Sequence, residues 1–206
     1  MKKIEMETWK RRDLYHFFSG MSQPFYSVTF TVDVTNLYRF TKENQLSFYY
    51  AMVYFCTKAV NKVENLLYTI RDGEICLLEE RRPSFTDMKR GSDQFQIVTM
   101  DCQDDALAFC RAAKEKSAAQ TAFVEASEET DDLIYFSCLP WIELTAFTNE
   151  RDFDADDNVP RITWGKYTED AGRRKLNLAI ELNHRFADGV HIGQFYGKLK
   201  EMLEQL

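Results

Sequence analysis

The hydrophobic positions along the chain change period several times, and each change marks an element. Between Phe25 and Val34 (FYSVTFTVDV) aromatic and β-branched residues alternate with smaller ones, the period of a strand with one buried face. From Ser47 to about Val63 the positions Tyr50, Val53, Tyr54, Thr57, Ala59 and Val60 spread over much of a helix that opens on Ser47. So broad a surface predicts a helix that is mostly buried. A shorter helix over Asn36 to Asn44 precedes it. Earlier still, Trp9 to Phe18 carries Trp9, Leu14, Tyr15, Phe17 and Phe18 among charges, and Ser19-Gly20 closes a short helix.

Further along, Tyr68-Thr69-Ile70 and Glu74 to Leu78 flank Asp72-Gly73, a dipeptide suited to the positive φ of a two-residue turn, and predict a hairpin. Ser84 to Met88 and Phe95 to Met100 read as extended pieces around the turn-rich Arg90-Gly91-Ser92-Asp93. Gln103 to about Ala119 carries Ala106, Leu107, Phe109, Cys110 and Ala113 at helical spacing. Two acidic stretches, Glu125 to Asp132 and Asn149 to Asn158, read as solvated loops. Leu133 to Ser137 and Ile142 to Phe147 are strand-like on either side of Pro140-Trp141, and Ile162 to Thr168 and Lys175 to Leu182 bracket a turn containing Gly172. From Asp188 onward, Val190, Ile192, Phe195, Leu199, Met202 and Leu203 form an amphipathic terminal helix. Strands and helices mix without a regular β-α-β repeat, which gives the fold class: α/β of the α+β type, a mostly antiparallel mixed sheet packed by helices, in one domain over residues 1–206.

Composition narrows the function. With 45% hydrophobic and 14% aromatic residues in a 206-residue chain, one sizeable core is expected. A net charge of −7 argues against nucleic acid as a partner, which needs a surplus of Lys and Arg. No apolar run approaches the ~20 residues that span a bilayer, and Met1-Lys2-Lys3-Ile4-Glu5 lacks a secretory apolar region, so the cytoplasm is the expected address and no membrane partner is expected. The cysteines Cys56, Cys76, Cys102, Cys110 and Cys138 are odd in number and scattered, unlike a zinc or redox motif, and read as reduced thiols. Only Cys138 has a second reading as a nucleophile, which apolar packing outweighs.

The segment that points to chemistry is Asn183-His184-Arg185-Phe186-Ala187-Asp188-Gly189, where the last strand ends and the terminal helix begins. A side chain there projects from a rigid scaffold. Histidine alone among side chains has an unperturbed pKa near neutrality, as removal of a proton from a hydroxyl requires. Asp188 falls at the helix N-cap and Gly189 permits a tight turn.

H-x-x-x-D-G at a strand end, followed by an amphipathic C-terminal helix, resembles the active-site motif of the chloramphenicol acetyltransferase superfamily, which also includes dihydrolipoyl acyltransferase cores and peptide-synthetase condensation domains. Trp9-Lys10-Arg11-Arg12, Ser137-Cys138-Leu139-Pro140-Trp141 and Thr163-Trp164-Gly165-Lys166-Tyr167 are similar, in order and spacing, to motifs of the chloramphenicol acetyltransferase branch. The Ser47 to Asn61 helix and Ser84-Phe85-Thr86 extend the likeness over essentially the whole chain.

The resemblance implies a two-layer sandwich and an O-acetyltransferase that uses acetyl-CoA as cosubstrate, with no metal and no covalent enzyme intermediate. By it His184 is the general base, Asp188 pairs with Arg11 to hold the histidine loop, Ser137 stabilises the tetrahedral oxyanion, and Thr163 assists through an ordered water. Trp141, Lys166 and Tyr167 fall at positions the family uses around coenzyme A. The family forms homotrimers in which the histidine of one subunit faces the serine side of its neighbour. His191 is assigned to packing and His16 to the surface or an interface.

Several positions depart from the family. Asn183 replaces a histidine, so Asn-His-Arg is similar to the Asp-His-Arg of dihydrolipoyl acyltransferase cores. In the acceptor pocket Phe17 matches a family aromatic, but Phe18 replaces a tyrosine, and Asn149 and Arg161 fall where apolar residues are usual; Phe95 and Phe123 are expected pocket walls. The implied function is therefore acetylation of a hydroxyl on a small molecule, chloramphenicol being the family-implied acceptor. The alternatives are another alcohol or thiol acceptor, or a noncatalytic family member.

Overall fold

A computed structural model of the chain describes every residue except 90, 104 and 152–155. The chain opens with β1 (Lys2–Lys3) and α1 (Arg12–Ser19), then β2 (Phe25–Asp33), α2 (Thr35–Glu43) and α3 (Phe48–Val60). Next come β3 (Tyr68–Arg71), β4 (Glu74–Leu77), β5 (Arg82–Met88), β6 (Phe95–Thr99), α4 (Ala106–Ala119) and β7 (Leu133–Leu139). The last part is β8 (Arg161–Gly165), β9 (Thr168–Asp170), β10 (Arg173–Asn183) and α5 (Gly189–Glu204). No described helix is long and apolar enough to cross a membrane.

A seven-stranded sheet in the order β2-β10-β8-β7-β5-β6, with β9 also paired to β10, forms one layer, and a small β1-β4-β3 sheet stands apart from it. Pairings are antiparallel except β5 with β7 and β7 with β8. The period-2 alternation of each strand decides what faces where. Leu176, Leu178, Ile180 and Leu182 of β10, Ile162 and Trp164 of β8, and Ile134 and Phe136 of β7 enter one core with α3, α4 and α5. The intervening residues, among them Ser137 and Thr163, belong to the other face. α3 is buried nearly all round, as its apolar breadth predicts, and Ser47 caps it by accepting from the Tyr50 N–H at 3.4 Å. The Asp72-Gly73 turn has φ values of 53° and 75°, as that hairpin requires.

Five expectations need correction. Residues Ile142 to Phe147 form no strand; they lie over the polar face of the sheet, where the Leu144 carbonyl accepts from Asn177 and the Phe147 carbonyl from Ser27, each at 2.7 Å. The first helix starts at Arg12, because Trp9 and Arg11 are drawn inward by other partners, and it ends on Gly20 in an ordinary helical conformation. The stretch Glu125 to Asp132 is not merely solvated: Asp131 takes Thr69 and Arg71, and Asp132 takes Arg82. Ile162 to Thr168 is not one strand, since β8 and β9 are separated by Lys166-Tyr167. The Arg90 end of one predicted turn, and residues 152–155 of the second acidic loop, lie outside the described residues; elsewhere in that loop Arg151 and Asp157 are buried as an ion pair rather than solvated.

Two close contacts fix the framework. A Cβ on Gly165 would sit 2.6 Å from the Leu144 nitrogen and 2.7 Å from the Ile142 oxygen, so only glycine lets β8 approach the 142–144 backbone. The Lys166 N–H then donates to Ile142 O at 2.7 Å. Elsewhere Arg81, with no exposed surface, donates to five main-chain carbonyls: Leu66 (2.6 Å), Tyr68 (2.7 Å), Asp131 (2.8 Å), Leu133 (3.1 Å) and Asn158 (3.2 Å). Burial lowers its pKa to about 10, which still leaves it a cation at neutral pH.

Candidate active site

The turn between β10 and α5 is held from outside at every carbonyl from 184 to 187. Arg11 donates from Nη2 to His184 O (2.9 Å) and from Nε to Arg185 O (2.8 Å); Asn65 donates to Phe186 O (2.7 Å) and the Tyr26 hydroxyl to Ala187 O (3.2 Å). The His184 N–H donates to Pro24 O at 2.7 Å. The Arg11 guanidinium also forms a two-pronged pair with Asp188 at 2.6 Å on each oxygen, which holds the Asp188 carboxyl below its ordinary value. Phe186 closes the underside, packed with Trp9, Tyr15 and Tyr68 in a second small core.

Within this frame the His184 ring is sandwiched. Phe18 stacks on one side at 3.9 Å and 11°, and Tyr26 lies against the ring at 4.4 Å. Nδ1 is shut away 3.1 Å from an Asp188 oxygen, in an alignment that makes no hydrogen bond. About a third of the side chain (33%) is exposed, so the imidazole is oriented and accessible together. Burial, then the Asp188 charge, pushes the Tyr26 phenol up to about 12, so it remains a hydrogen-bond donor at neutral pH. His191 accepts the Asp188 N–H on Nδ1 at 2.9 Å, the packing role expected of it, and His16 lies exposed on α1.

A second constellation lies in the sheet. The parallel ladder of β5 and β7 ends at Phe85 opposite Phe136, although β5 continues to Met88 and β7 to Leu139. Beyond that last pair a cavity of about 1050 Å³ is lined by Thr86 and Met88 on one side, Ser137 and Cys138 on the other, and Tyr49 from α3. Ser137 is paired in register with Thr163, whose hydroxyl oxygen is buried without a partner among the described residues. Burial pushes the Cys138 thiol up to about 12, which keeps it protonated and unsuited to nucleophilic attack.

A family model described as chloramphenicol acetyltransferase matches residues 1–200. The chain belongs to the chloramphenicol acetyltransferase family. It is 26% identical over 204 residues to chloramphenicol acetyltransferase 3 of Escherichia coli, covering 97% of this chain and 95% of that one. It is 26% identical to the chloramphenicol acetyltransferase of Clostridium perfringens, covering 98% of both. Among solved structures a chloramphenicol acetyltransferase superposes with a TM-score of 0.88 at 22% identity, over 98% of this chain and 99% of that one. A dihydrolipoamide acetyltransferase of Azotobacter vinelandii superposes at 0.69 with 17% identity, over 93% and 85%. The fold is thus of the chloramphenicol acetyltransferase type, and the family is one of acyltransferases.

The residues that the family resemblance singled out fall into two separate groups. Phe17 and Phe18 are on α1, with Phe18 on His184 and Phe17 64% exposed beside it. Ser137, Trp141, Phe95, Phe123, Asn149 and Arg161 line the cavity, and Trp141 is 70% exposed at its mouth. His184, Thr163, Lys166 and Tyr167 are not among its described lining residues. His184 lies five positions beyond Ala179, the register partner of Thr163, roughly 17 Å along the strand at about 3.3 Å per residue. Lys166 is exposed, whereas Tyr167 packs against Tyr38 (5.5 Å) and Phe48 (5.7 Å) at the edge of the core.

Sequence reasoning put Asn149 and Arg161 at the pocket but missed the ion pairs that hold them. Arg151 donates to Glu181 and, at 2.7 Å, to Asp157; Arg161 donates to the same Asp157 oxygen at 2.9 Å. The Asn149 N–H completes Glu181 at 3.0 Å. Their side chains are between 1% and 14% exposed. Burial, then the neighbouring Arg151, lowers the Arg161 pKa. Tyr26 was missed as well, because a tyrosine in an alternating strand carries no sign that its ring meets a histidine more than 150 positions later.

Proposed function

We propose that this protein is an acetyl-CoA-dependent O-acetyltransferase for a small hydroxylated molecule, with His184 as general base and no covalent enzyme intermediate. The observation that carries the reading is the His184 turn. Each of its carbonyls is tied down, its ring is clamped between Phe18 and Tyr26, and Nδ1 is shut in, so Nε2 is the nitrogen left to meet a substrate. That is the preorganisation a base requires. In the proposed step Nε2 takes the acceptor hydroxyl proton while the oxygen attacks the thioester carbon. The tetrahedral oxyanion then accepts a hydrogen bond from the Ser137 hydroxyl, with Thr163 acting through a water. Collapse breaks the carbon–sulfur bond, and the imidazolium returns the proton to the departing thiolate.

The Arg11–Asp188 pair acts on geometry rather than on the proton, since both aspartate oxygens are occupied by the guanidinium. Coenzyme A is assigned to the cavity mouth, where the Trp141 ring offers an exposed aromatic face and the nearby Lys166 a charge for phosphate. The separation of His184 from the Ser137 cavity supports a homotrimer in which each site combines the histidine turn of one subunit with the cavity of the next. Chloramphenicol is the first acceptor to try, on the names of the relatives; Phe18 and the charged wall count against it.

The test is thiol release from acetyl-CoA by purified protein, with chloramphenicol and a panel of alcohols, amines and thiols. Acceptor-dependent release is expected for an alcohol; release that depends on no acceptor overturns the reading. The shared site has its own test. His184→Ala and Ser137→Ala proteins, each strongly impaired, should together exceed the activity of either alone when refolded as a mixture, and an active monomer by light scattering overturns it.

A further inference from the structure

The parting of β5 from β7 can be traced to particular rungs of their ladder. Where the pair begins, the Arg82 N–H donates to Asp132 O at 2.8 Å, with Arg82 opposite Leu133 in register. The Tyr135 N–H points the other way, to Pro160 O at 3.0 Å, so the even-numbered residues of β7 face β5. Rungs of a parallel pair repeat every two residues. Carried forward, the register asks next for a bond from the Cys138 N–H to Thr86 O, and then for one from the Met88 N–H to Cys138 O. The ladder stops just short of both, at Phe85 opposite Phe136.

Side chains stand in for the missing partners. The Tyr49 hydroxyl of α3 donates to Thr86 O at 2.6 Å, and the Met88 N–H donates to Asp87 Oδ1 at 3.0 Å. Asp87 is itself held from the helices, by the Tyr50 hydroxyl of α3 and by the Ser117 hydroxyl of α4 at 2.6 Å. The end of β5 therefore loses no hydrogen bond by standing away from β7, because a hydroxyl satisfies a carbonyl without bringing a second strand with it. Tyr49 is well placed for this. Its ring packs between Trp164 (5.4 Å) and Phe85 (6.1 Å), and burial holds its phenol well above the ordinary pKa, so it keeps the proton it donates. The Cys138 N–H is left facing the cavity that Cys138, Thr86 and Tyr49 all line.

We infer that Tyr49 is a positioning residue that keeps the sheet parted: by occupying the Thr86 carbonyl it stops the Cys138 N–H from zipping β7 onto β5 across the cavity. This goes beyond the acyltransfer reading, since it concerns whether the cavity is open rather than what is done in it. Without the hydroxyl, Thr86 O is unfilled in the open form and filled in the zipped one. The balance then moves toward the zipped form by the worth of about one hydrogen bond, a factor of about ten. A ligand that enters only the open form binds more weakly by the same factor, and at saturation the open form is restored.

The experiment compares the parent protein with Tyr49→Phe, which removes one oxygen and keeps the ring. Amide exchange of the free protein at Cys138 is read alongside the calorimetric Kd of coenzyme A and the kcat and KM for acetyl-CoA. In the variant the Cys138 amide should exchange about tenfold more slowly, Kd and KM should rise by that same factor, and kcat should hold. Tyr50→Phe, which frees one of the two hydroxyls on Asp87, should shift the same quantities in the same direction by less, and it keeps the test decisive should Tyr49→Phe fold poorly. A Cys138 amide already protected in the parent protein would overturn the inference. So would a Tyr49→Phe protein of lower Tm whose Cys138 amide exchanges as before, which would leave Tyr49 a packing residue, or a weakened Kd without slower exchange, which would make it a direct ligand contact. Slower exchange in a protein that transfers no acyl group leaves the brace standing while the acyltransfer reading fails; turnover with exchange unmoved is the reverse.

Discussion

The two halves of the candidate site are built on opposite plans. The His184 turn has no regular structure, yet four carbonyls, one N–H and one carboxylate are each held by a residue from elsewhere in the chain. The Ser137 side sits in the middle of a sheet, the most regular place in the molecule, and there the regularity is broken: a ladder stops short, a serine is left facing a cavity, and Trp141 stands in solvent. On the proposed reading the base must keep one orientation, which an over-determined turn provides. A binding cleft must admit a molecule, so the sheet gives up hydrogen bonds to open it.

Substitutions on the two sides should separate these plans. The largest effect is expected from His184→Ala, with acyl transfer falling by about 10²–10⁴-fold or more and an unchanged circular dichroism spectrum, since the ring itself supports none of the turn's hydrogen bonds. Near-normal turnover would remove His184 from the mechanism. Ser137→Ala should cost on the order of 10² in kcat with KM little changed; a loss confined to KM would make the serine a binding group.

Asp188→Asn tests the brace rather than the chemistry. It should destabilise by about 2–3 kcal/mol in urea unfolding, less than a fully buried pair because the aspartate retains 30% exposure. It also has a pH signature. The folded-state pKa of Asp188 lies below the ordinary 3.8, so its contribution is complete above that value and is lost as the pH falls through the lower folded value. The parent protein should therefore lose more stability on acidification below 3.8 than the variant. Parallel curves would show that the pair contributes nothing. The smallest effect, about 1 kcal/mol, is expected from Tyr26→Phe, which removes the donor to Ala187 O but keeps the ring. Tyr26→Leu should in addition reduce the ring-current shift of the His184 protons in NMR to what the stacked Phe18 alone produces; an unshifted His184 in the parent protein would contradict the sandwich.

Much of this was legible in the sequence, and what was not has physical causes. Strands and helices with a clear period, such as Phe25–Asp33, Phe48–Val60 and Gly189–Glu204, are where the pattern puts them. Ile142 to Phe147 has the composition of a strand, but tertiary contacts with Asn177, Ser27 and Gly165 use its backbone in another way. The placement of the motif residues Arg11, Asp188 and His184 at one turn followed from the family pattern alone. The resemblance also put the histidine and the serine on opposite sides of a shared cleft; the distance between them within one chain did not follow, since a linear motif carries no distance between a strand's middle and its end. Nor did the quartet of Arg151, Asp157, Arg161 and Glu181: Arg161 was expected at the pocket, but Arg151 and Asp157 sit in an acidic stretch that reads as solvated until the fold closes over it, and Glu181 in a strand that carries no sign of its partners.

Arg81 bears on how the chain reaches this state. Its carbonyl partners lie 13, 15, 50, 52 and 77 positions away. In a partly ordered chain that has assembled some of these segments and not others, the guanidinium would be enclosed with donors unfilled, which is costly enough to favour reopening. The structure around the start of β5 is therefore won or lost together. Folding intermediates that keep residues 66–68 ordered while 131–133 and 158 are loose should be scarcely populated, and their amides should exchange with solvent as one cooperative group.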